Sequence, residues 1–174
     1  MKRRTALAAL AGLGLAGGGA WAVRNGIPAD GDGLPVRVET VDARGSEAGE
    51  ARVPRQGVPT VIDLFATWCA PCKEQLDALR EVEEGYGDTV AFVSVTNEFV
   101  GETLTRDDIT DWWASNGGEW TVGLDPESSL MSALGAGGLP YTAVTDGSGT
   151  VVWDHGGVAD AQGVREGIES ALDG

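Results

Sequence analysis

Cys69 and Cys72 are the only cysteines in this chain of 174 residues, and they stand three positions apart in the run Trp68-Cys69-Ala70-Pro71-Cys72-Lys73. Two thiols at that spacing can close to a disulfide and reopen, which is two-electron redox chemistry. The run follows directly on Val61-Ile62-Asp63-Leu64-Phe65, a segment with the continuous hydrophobicity of a strand covered on both faces. A helix starting at the cysteines sets Cys69 at its N-terminus. There, unsatisfied N–H groups and the helix dipole favour the thiolate and hold such thiols below their ordinary pKa of about 8.5. Cys69 is therefore the expected nucleophile, and Cys72, one turn on and less accessible, the expected resolving thiol. A purely structural disulfide gains little chain entropy from so short a loop. Tetrahedral zinc needs about four ligands, and the thiols are joined only by His155, the single histidine, far along the chain. No metal site and no cofactor beyond the redox-active pair are expected.

Asp63 is the second candidate. An acid inside a two-sided apolar strand is costly to bury and should have a raised pKa. It stands six positions before Cys69, as either a proton acceptor for the dithiol or a structural carboxylate bonded to neighbouring backbone. Trp68 offers a flat apolar surface beside the thiols or a core-filling ring. His155 reads as a surface residue.

The elements that must position these residues are legible in outline. Val36, Val38 and Val41 suggest an edge strand, with a turn-rich return to Ala51–Val53. Val58–Ala66 is the first buried strand, and Leu76, Leu79, Val82 and Tyr86 recur at helical spacing until Gly85 and Gly87. Val90–Thr96 is a second buried strand. Thr105–Asp108 has the form of a capping box for a helix carrying Ile109, Trp112 and Trp113, closed by Asn116-Gly117. A short strand spans Trp120–Leu124, and Asp125-Pro126 is the expected start of a helix running through Leu134. Strands at Tyr141–Thr145 and Thr150–His155 flank the turn Asp146-Gly147-Ser148-Gly149, and Asp160 caps a last helix with Val164, Ile168 and Leu172. Alternation of this kind predicts an α/β fold, a mixed sheet with helices on both faces.

Acidic residues outnumber basic ones 27 to 12, and Lys2 and Lys73 are the only lysines. Such a surface repels phosphate backbones and anionic lipid, so nucleic acid is not an expected partner. Acid excess with few lysines points to a protein adapted to high salt. Lys2-Arg3-Arg4 precedes an uncharged stretch from Thr5 to Val23 with an A-x-A pattern at Ala20-Trp21-Ala22. Residues 1–23 therefore read as an export signal or membrane anchor, with paired arginines compatible with twin-arginine export. Residues 24–34 form a Gly/Asp-rich tether and 35–174 the folded domain. The membrane is expected to be met only through the N-terminal segment, with the domain on its outer side.

FATWCAPCKEQ at Phe65–Gln75, FVSVTNE at Phe92–Glu98, Gly138-Leu139-Pro140-Tyr141 before a strand, and the hairpin at Asp146–Val152 together resemble the thioredoxin-like superfamily, and within it the exported TlpA/ResA-type thiol-disulfide oxidoreductases. The resemblance spans roughly residues 34–172. It implies a three-layer thioredoxin-like sandwich with an N-terminal strand or hairpin extension, working on protein thiols and disulfides, with a membrane thiol relay as electron donor. By the same resemblance Pro140 is a cis-proline facing the dithiol, Leu139 holds the backbone that pairs with substrate, Trp68 and Pro71 complete the substrate surface, and Asp63 is the base for Cys72. An ordinary turn proline at position 140 is the bland alternative. Many TlpA/ResA-type proteins have a neutral residue at the position of Asp63, and some have a glutamate where this chain has Ala70, so the site is a hybrid. Cytochrome c maturation is among the roles the resemblance allows. The runner-up is a copper-binding assembly protein of the Sco type, which resembles C-x-x-x-C with a nearby histidine. Peroxiredoxin-type peroxidases want proline and threonine where this chain has Ile62 and Ala66.

Overall fold

A computed structural model describes residues 33–174. The export segment and nearly all of the tether lie outside the described residues. Strands β1 (Val36–Thr40), β2 (Gly49–Val53) and β3 (Thr60–Phe65) lead to helix α1 (Ala70–Tyr86) and β4 (Ala91–Thr96). Helix α2 (Arg106–Ser115), β5 (Thr121–Leu124), α3 (Ser129–Leu134), β6 (Tyr141–Thr145), β7 (Val151–Gly156) and α4 (Ala161–Leu172) follow.

One mixed sheet takes the order β2-β1-β5-β4-β3-β6-β7. β3, β4 and β5 run parallel, β6 is antiparallel to β3, and β1–β2 and β6–β7 are antiparallel pairs. Every residue of β3 is buried, because helices cover both sheet faces. On one face Val61 and Phe65 pack with Leu76, Leu79 and Val82 of α1, Ile109 and Trp113 of α2, and Val164 and Ile168 of α4. On the other, Ile62 and Leu64 pack with Val93, Val95 and Leu130 of α3. That is the expected three-layer arrangement, with the β1–β2 hairpin as its N-terminal extension.

Two details depart from the sequence reading. β1 is not an edge strand: it lies between β2 and β5, pairing Thr40 with Gly123, and β2 takes the edge. Gly123 makes the approach possible, since a Cβ there would stand 3.0 Å from Val38 Cγ2 and 3.2 Å from the Glu39 carbonyl oxygen. Helix α3 starts at Ser129, not after Asp125. Asp125 still serves its N-terminus, because its carboxylate accepts from the Leu130 N–H at 2.7 Å across an intervening turn. Other terminal signals hold. Thr105 and Asp108 bond reciprocally as a capping box, Asp160 accepts from the Gly163 N–H, and the Gly87 N–H donates to the Glu83 carbonyl at the end of α1. Gly85 lies inside the last turn of α1. Among the described residues no helix is long and apolar enough to cross a membrane.

Candidate active site

The buried strand β3 ends at Phe65, and the chain turns through Ala66–Trp68 into α1. Cys69 is the N-cap of α1, extended at φ −83° and ψ 102° with no side-chain cap bond, and Pro71 sits in the first turn, where its missing N–H forfeits no helix bond. No acidic residue occupies that turn, so nothing there opposes a thiolate. Cys69 and Cys72 form a disulfide with Cα atoms 5.4 Å apart. In this state the expected contrast in accessibility is absent: Cys69 is 3% exposed and Cys72 1%. The disulfide folds both sulfurs against the helix start, so helix position, not exposure, distinguishes the two. Trp68 stands in solvent at 73% exposure, beside the thiols and outside the core. Pro71 and Lys73 are also exposed.

Asp63 lies mid-strand with its side chain on the face of Val61 and Phe65, residues that pack in one cluster with Cys69 and Cys72. It is 1% exposed. Register sets Ser94 of β4 beside it on one side and Thr142 of β6 on the other. The Ser94 hydroxyl donates to Asp63 Oδ2 at 2.7 Å and accepts from Trp120 Nε1 at 3.0 Å, so the indole fixes the direction of the hydroxyl. Asp63 Oδ1 and Thr142 Oγ1 are both buried without a partner. Burial pushes the Asp63 carboxyl up to about 7, and the Ser94 hydrogen bond offsets only part of that. The bond this carboxyl takes comes from a side-chain hydroxyl, not from backbone, and it leaves one oxygen without a partner.

The Leu139–Pro140 peptide bond is cis. Pro140 is buried, its carbonyl accepts from the Gly157 N–H at 2.9 Å, and half-buried Leu139 packs against the cluster holding the dithiol. His155 is exposed on β7, stacked on Trp153. Phe65 stacks on Trp112 with centroids 5.0 Å apart, and Trp113 meets Trp120 edge-on at 5.3 Å. These indoles line the sheet face below the site.

Three residues carry weight that sequence reasoning did not assign. Glu98, just past β4, accepts from the Thr67 N–H at 2.7 Å and from the Thr67 hydroxyl at 2.8 Å, clamping the segment that enters the dithiol. Its only signal was an acid at the end of a buried strand. Gln75 is buried on α1, with Oε1 accepting from the Ala159 N–H at 2.7 Å and Nε2 without a partner. Its place one turn beyond Cys72 on the apolar face was readable. Phe99 is exposed beside Glu98, with no periodic pattern to mark it.

A Cys-x-x-Cys pair at the cap of a helix, on a three-layer mixed sheet, defines a thioredoxin-like redox protein. A family model described as Redoxin matches residues 31–172, and the chain belongs to that family. It is 28% identical over 129 residues to the thiol:disulfide interchange protein DsbE of Escherichia coli (strain K12), covering 72% of this chain and 65% of that one. It is 21% identical over 139 residues to the thiol:disulfide interchange protein CycY of Rhizobium leguminosarum bv. viciae, covering 76% and 71% respectively. The chain thus spans about two thirds of the length of these relatives, below it for DsbE. The crystal structure of the exposed lipoprotein thioredoxin Etrx1 from Streptococcus pneumoniae superimposes with a TM-score of 0.64 at 20% identity, covering 78% of this chain and 98% of that one. At that identity the likeness is one of fold.

Proposed function

We propose that this chain is a protein thiol-disulfide oxidoreductase acting outside the cytoplasmic membrane, with Cys69 as nucleophile and Cys72 as resolving thiol. The observation that carries the reading is the Cys69–Cys72 disulfide at the cap of α1, with Pro71 in the first turn and no acid in that turn. In the reducing direction the Cys69 thiolate attacks one sulfur of a substrate disulfide and expels the other as a thiolate. Cys72, deprotonated with Asp63 as acceptor, then attacks the Cys69 sulfur and releases the second substrate thiol. Two electrons pass to the substrate, and the Cys69–Cys72 bond is left oxidised. A membrane thiol relay restores the dithiol. Ala70-Pro71 between the cysteines lacks the histidine of strong oxidants, which favours reduction as the working direction. Trp68, Pro71, Leu139 and cis Pro140 form the surface that receives the substrate chain.

Location outside the membrane is supported by the basic Lys2-Arg3-Arg4 and the uncharged stretch behind it. The copper-binding alternative gains no observation in its favour: His155 lies on β7, stacked on Trp153.

The test is non-reducing electrophoresis of the full chain carrying Cys72→Ser or Cys69→Ser, expressed in the native host. Cys72→Ser should accumulate reducible adducts with other proteins, and Cys69→Ser almost none. Equal trapping by both variants, or adducts with Cys69→Ser alone, overturns the assignment.

A further inference from the structure

We propose that Phe99 is a second substrate-docking residue, which with Trp68 seats a large apolar side chain flanking the cysteine of a disulfide-containing polypeptide; this rests on the oxidoreductase reading above. Phe99 is 78% exposed. Apart from it and Trp68, every exposed large apolar side chain among the described residues is at least half covered. Water is a poor environment for a phenyl ring, whose full burial is worth about 1.5–3 kcal/mol, so a ring left out needs a reason.

Loose structure is not the reason, because the loop 97–104 is fastened along its length. Asn97 Nδ2 donates to Ser128 Oγ at 3.1 Å, and the Gly101 N–H donates to the Leu104 carbonyl at 2.8 Å. Val100 and Leu104 pack against the core. The Phe99 ring lies along Gly101, 3.6 Å from where a Cβ on that glycine would stand. Glu98 and Val100 on either side of it are partly buried, while the Phe99 ring faces solvent.

The Glu98 clamp decides where that ring stands. Glu98 grips Thr67 through the two hydrogen bonds described above, and the next residues along the two strands of chain are Phe99 and Trp68. Phe65 and Thr96 are partners in the parallel β3–β4 pair, so both chains leave the same end of the sheet, and the two most exposed large apolar residues follow directly on the bonded pair, Trp68 being the residue before Cys69. Even as the disulfide the pair is recessed, Cys69 being 3% exposed, so a substrate sulfur meets Cys69 with its flanking chain lying against the neighbouring surface. Two exposed aromatic side chains on adjoining segments, one of them next to Cys69 in the chain, offer that flanking segment apolar contact, and aromatic anchors carry a disproportionate share of such contacts. The substrate class is a polypeptide disulfide with leucine, methionine or an aromatic residue next to the cysteine.

The test uses the full chain as wild type, Phe99→Ser and Phe99→Leu, with three oxidised probes. These are a peptide disulfide with leucine beside each cysteine, the same peptide with serine there, and hydroxyethyl disulfide. Phe99→Ser should lower kcat/KM on the leucine peptide about tenfold, chiefly through KM, the loss of one aromatic anchor. It should leave the serine peptide and hydroxyethyl disulfide within about twofold, and Phe99→Leu should recover most of the loss. Unchanged rates on the leucine peptide, or an equal fall on all three probes, overturns docking by Phe99 while leaving the oxidoreductase intact. A wild-type dimer that Phe99→Ser dissociates in sedimentation also overturns it, since the patch then serves a second copy. A wild type inert on every probe overturns the oxidoreductase reading and this one together.

Discussion

At Asp63 a carboxyl group with an ordinary pKa of 3.8 is held where burial raises it to about 7. Between about pH 4 and pH 7 the folded chain keeps a proton that the unfolded chain has released. Stability therefore falls as pH rises through that window and levels off above it, by an amount on the order of 4 kcal/mol. Asp63→Asn cannot ionise and can still accept from Ser94, so it should lack this fall. Urea midpoints should show the variant gaining on wild type from pH 5 to pH 8, with most of the difference present by pH 7. Other groups cancel in that comparison. A constant offset between the two chains at both pH values would mean that Asp63 does not change protonation in this window. The same substitution removes the acceptor proposed for Cys72, so resolution of the mixed disulfide should slow near neutral pH while attack by Cys69 continues. Turnover equal to wild type across neutral pH would leave Asp63 with a structural role alone.

The turn leading into α1, strand β4 and the loop after it meet at Glu98, whose carboxylate takes two bonds from Thr67 and one from the Thr96 hydroxyl at 3.0 Å. Glu98→Gln keeps the shape but turns an amide N–H towards a donor, which should destabilise the fold by about 1–2 kcal/mol. In a domain of this size that lowers Tm by roughly 3–8 °C, measurable by circular dichroism. An unchanged Tm would show that the clamp adds nothing to stability. This junction also marks where sequence reading stops. β3, α1 and β4 were legible because unbroken apolar runs and a 3.6-residue period are local patterns, and so were the Thr105–Asp108 box and the Asp146–Gly149 turn. The Glu98–Thr67 bonds, the Ser94–Asp63 bond and the Trp120–Ser94 bond behind it join positions some 26 to 31 residues apart. Only strand register brings them together. The inner position of β1 was hidden for the same reason, being set by pairing with β5 far along the chain. Cys69, Cys72 and the oddity of Asp63 were visible at once, since their residue types and spacing carry the signal without the fold.

Across the whole molecule the surface charge is unbalanced, and the bonds that could offset it are weak. The ion pairs of Arg37, Arg44, Arg80, Arg106 and Arg165 all lie in solvent, where such pairs contribute about 0–1 kcal/mol each. At the end of α1 the Glu83 carboxyl is pushed up, first by burial and then by the charges of Glu119, Glu84 and Asp88, a local sign of the repulsion carried by a chain with 27 acids and 12 bases. Screening acts over about 10 Å at 0.1 M salt and about 3 Å at 1 M, so neighbouring carboxylates feel each other at low salt and hardly at all at high salt. The unfolding midpoint should therefore rise from tenth-molar to molar KCl. Chloride is the useful anion, because sulfate would also strengthen apolar burial and blur the cause. Glu83→Gln separates the two effects further. It removes a carboxylate whose raised pKa means that its charge disfavours the fold, so it should stabilise the protein at 0.1 M KCl and less at 1 M, where the part due to burial remains. A midpoint indifferent to KCl, or a Glu83→Gln gain equal at both concentrations, would show that carboxylate repulsion does not limit this fold.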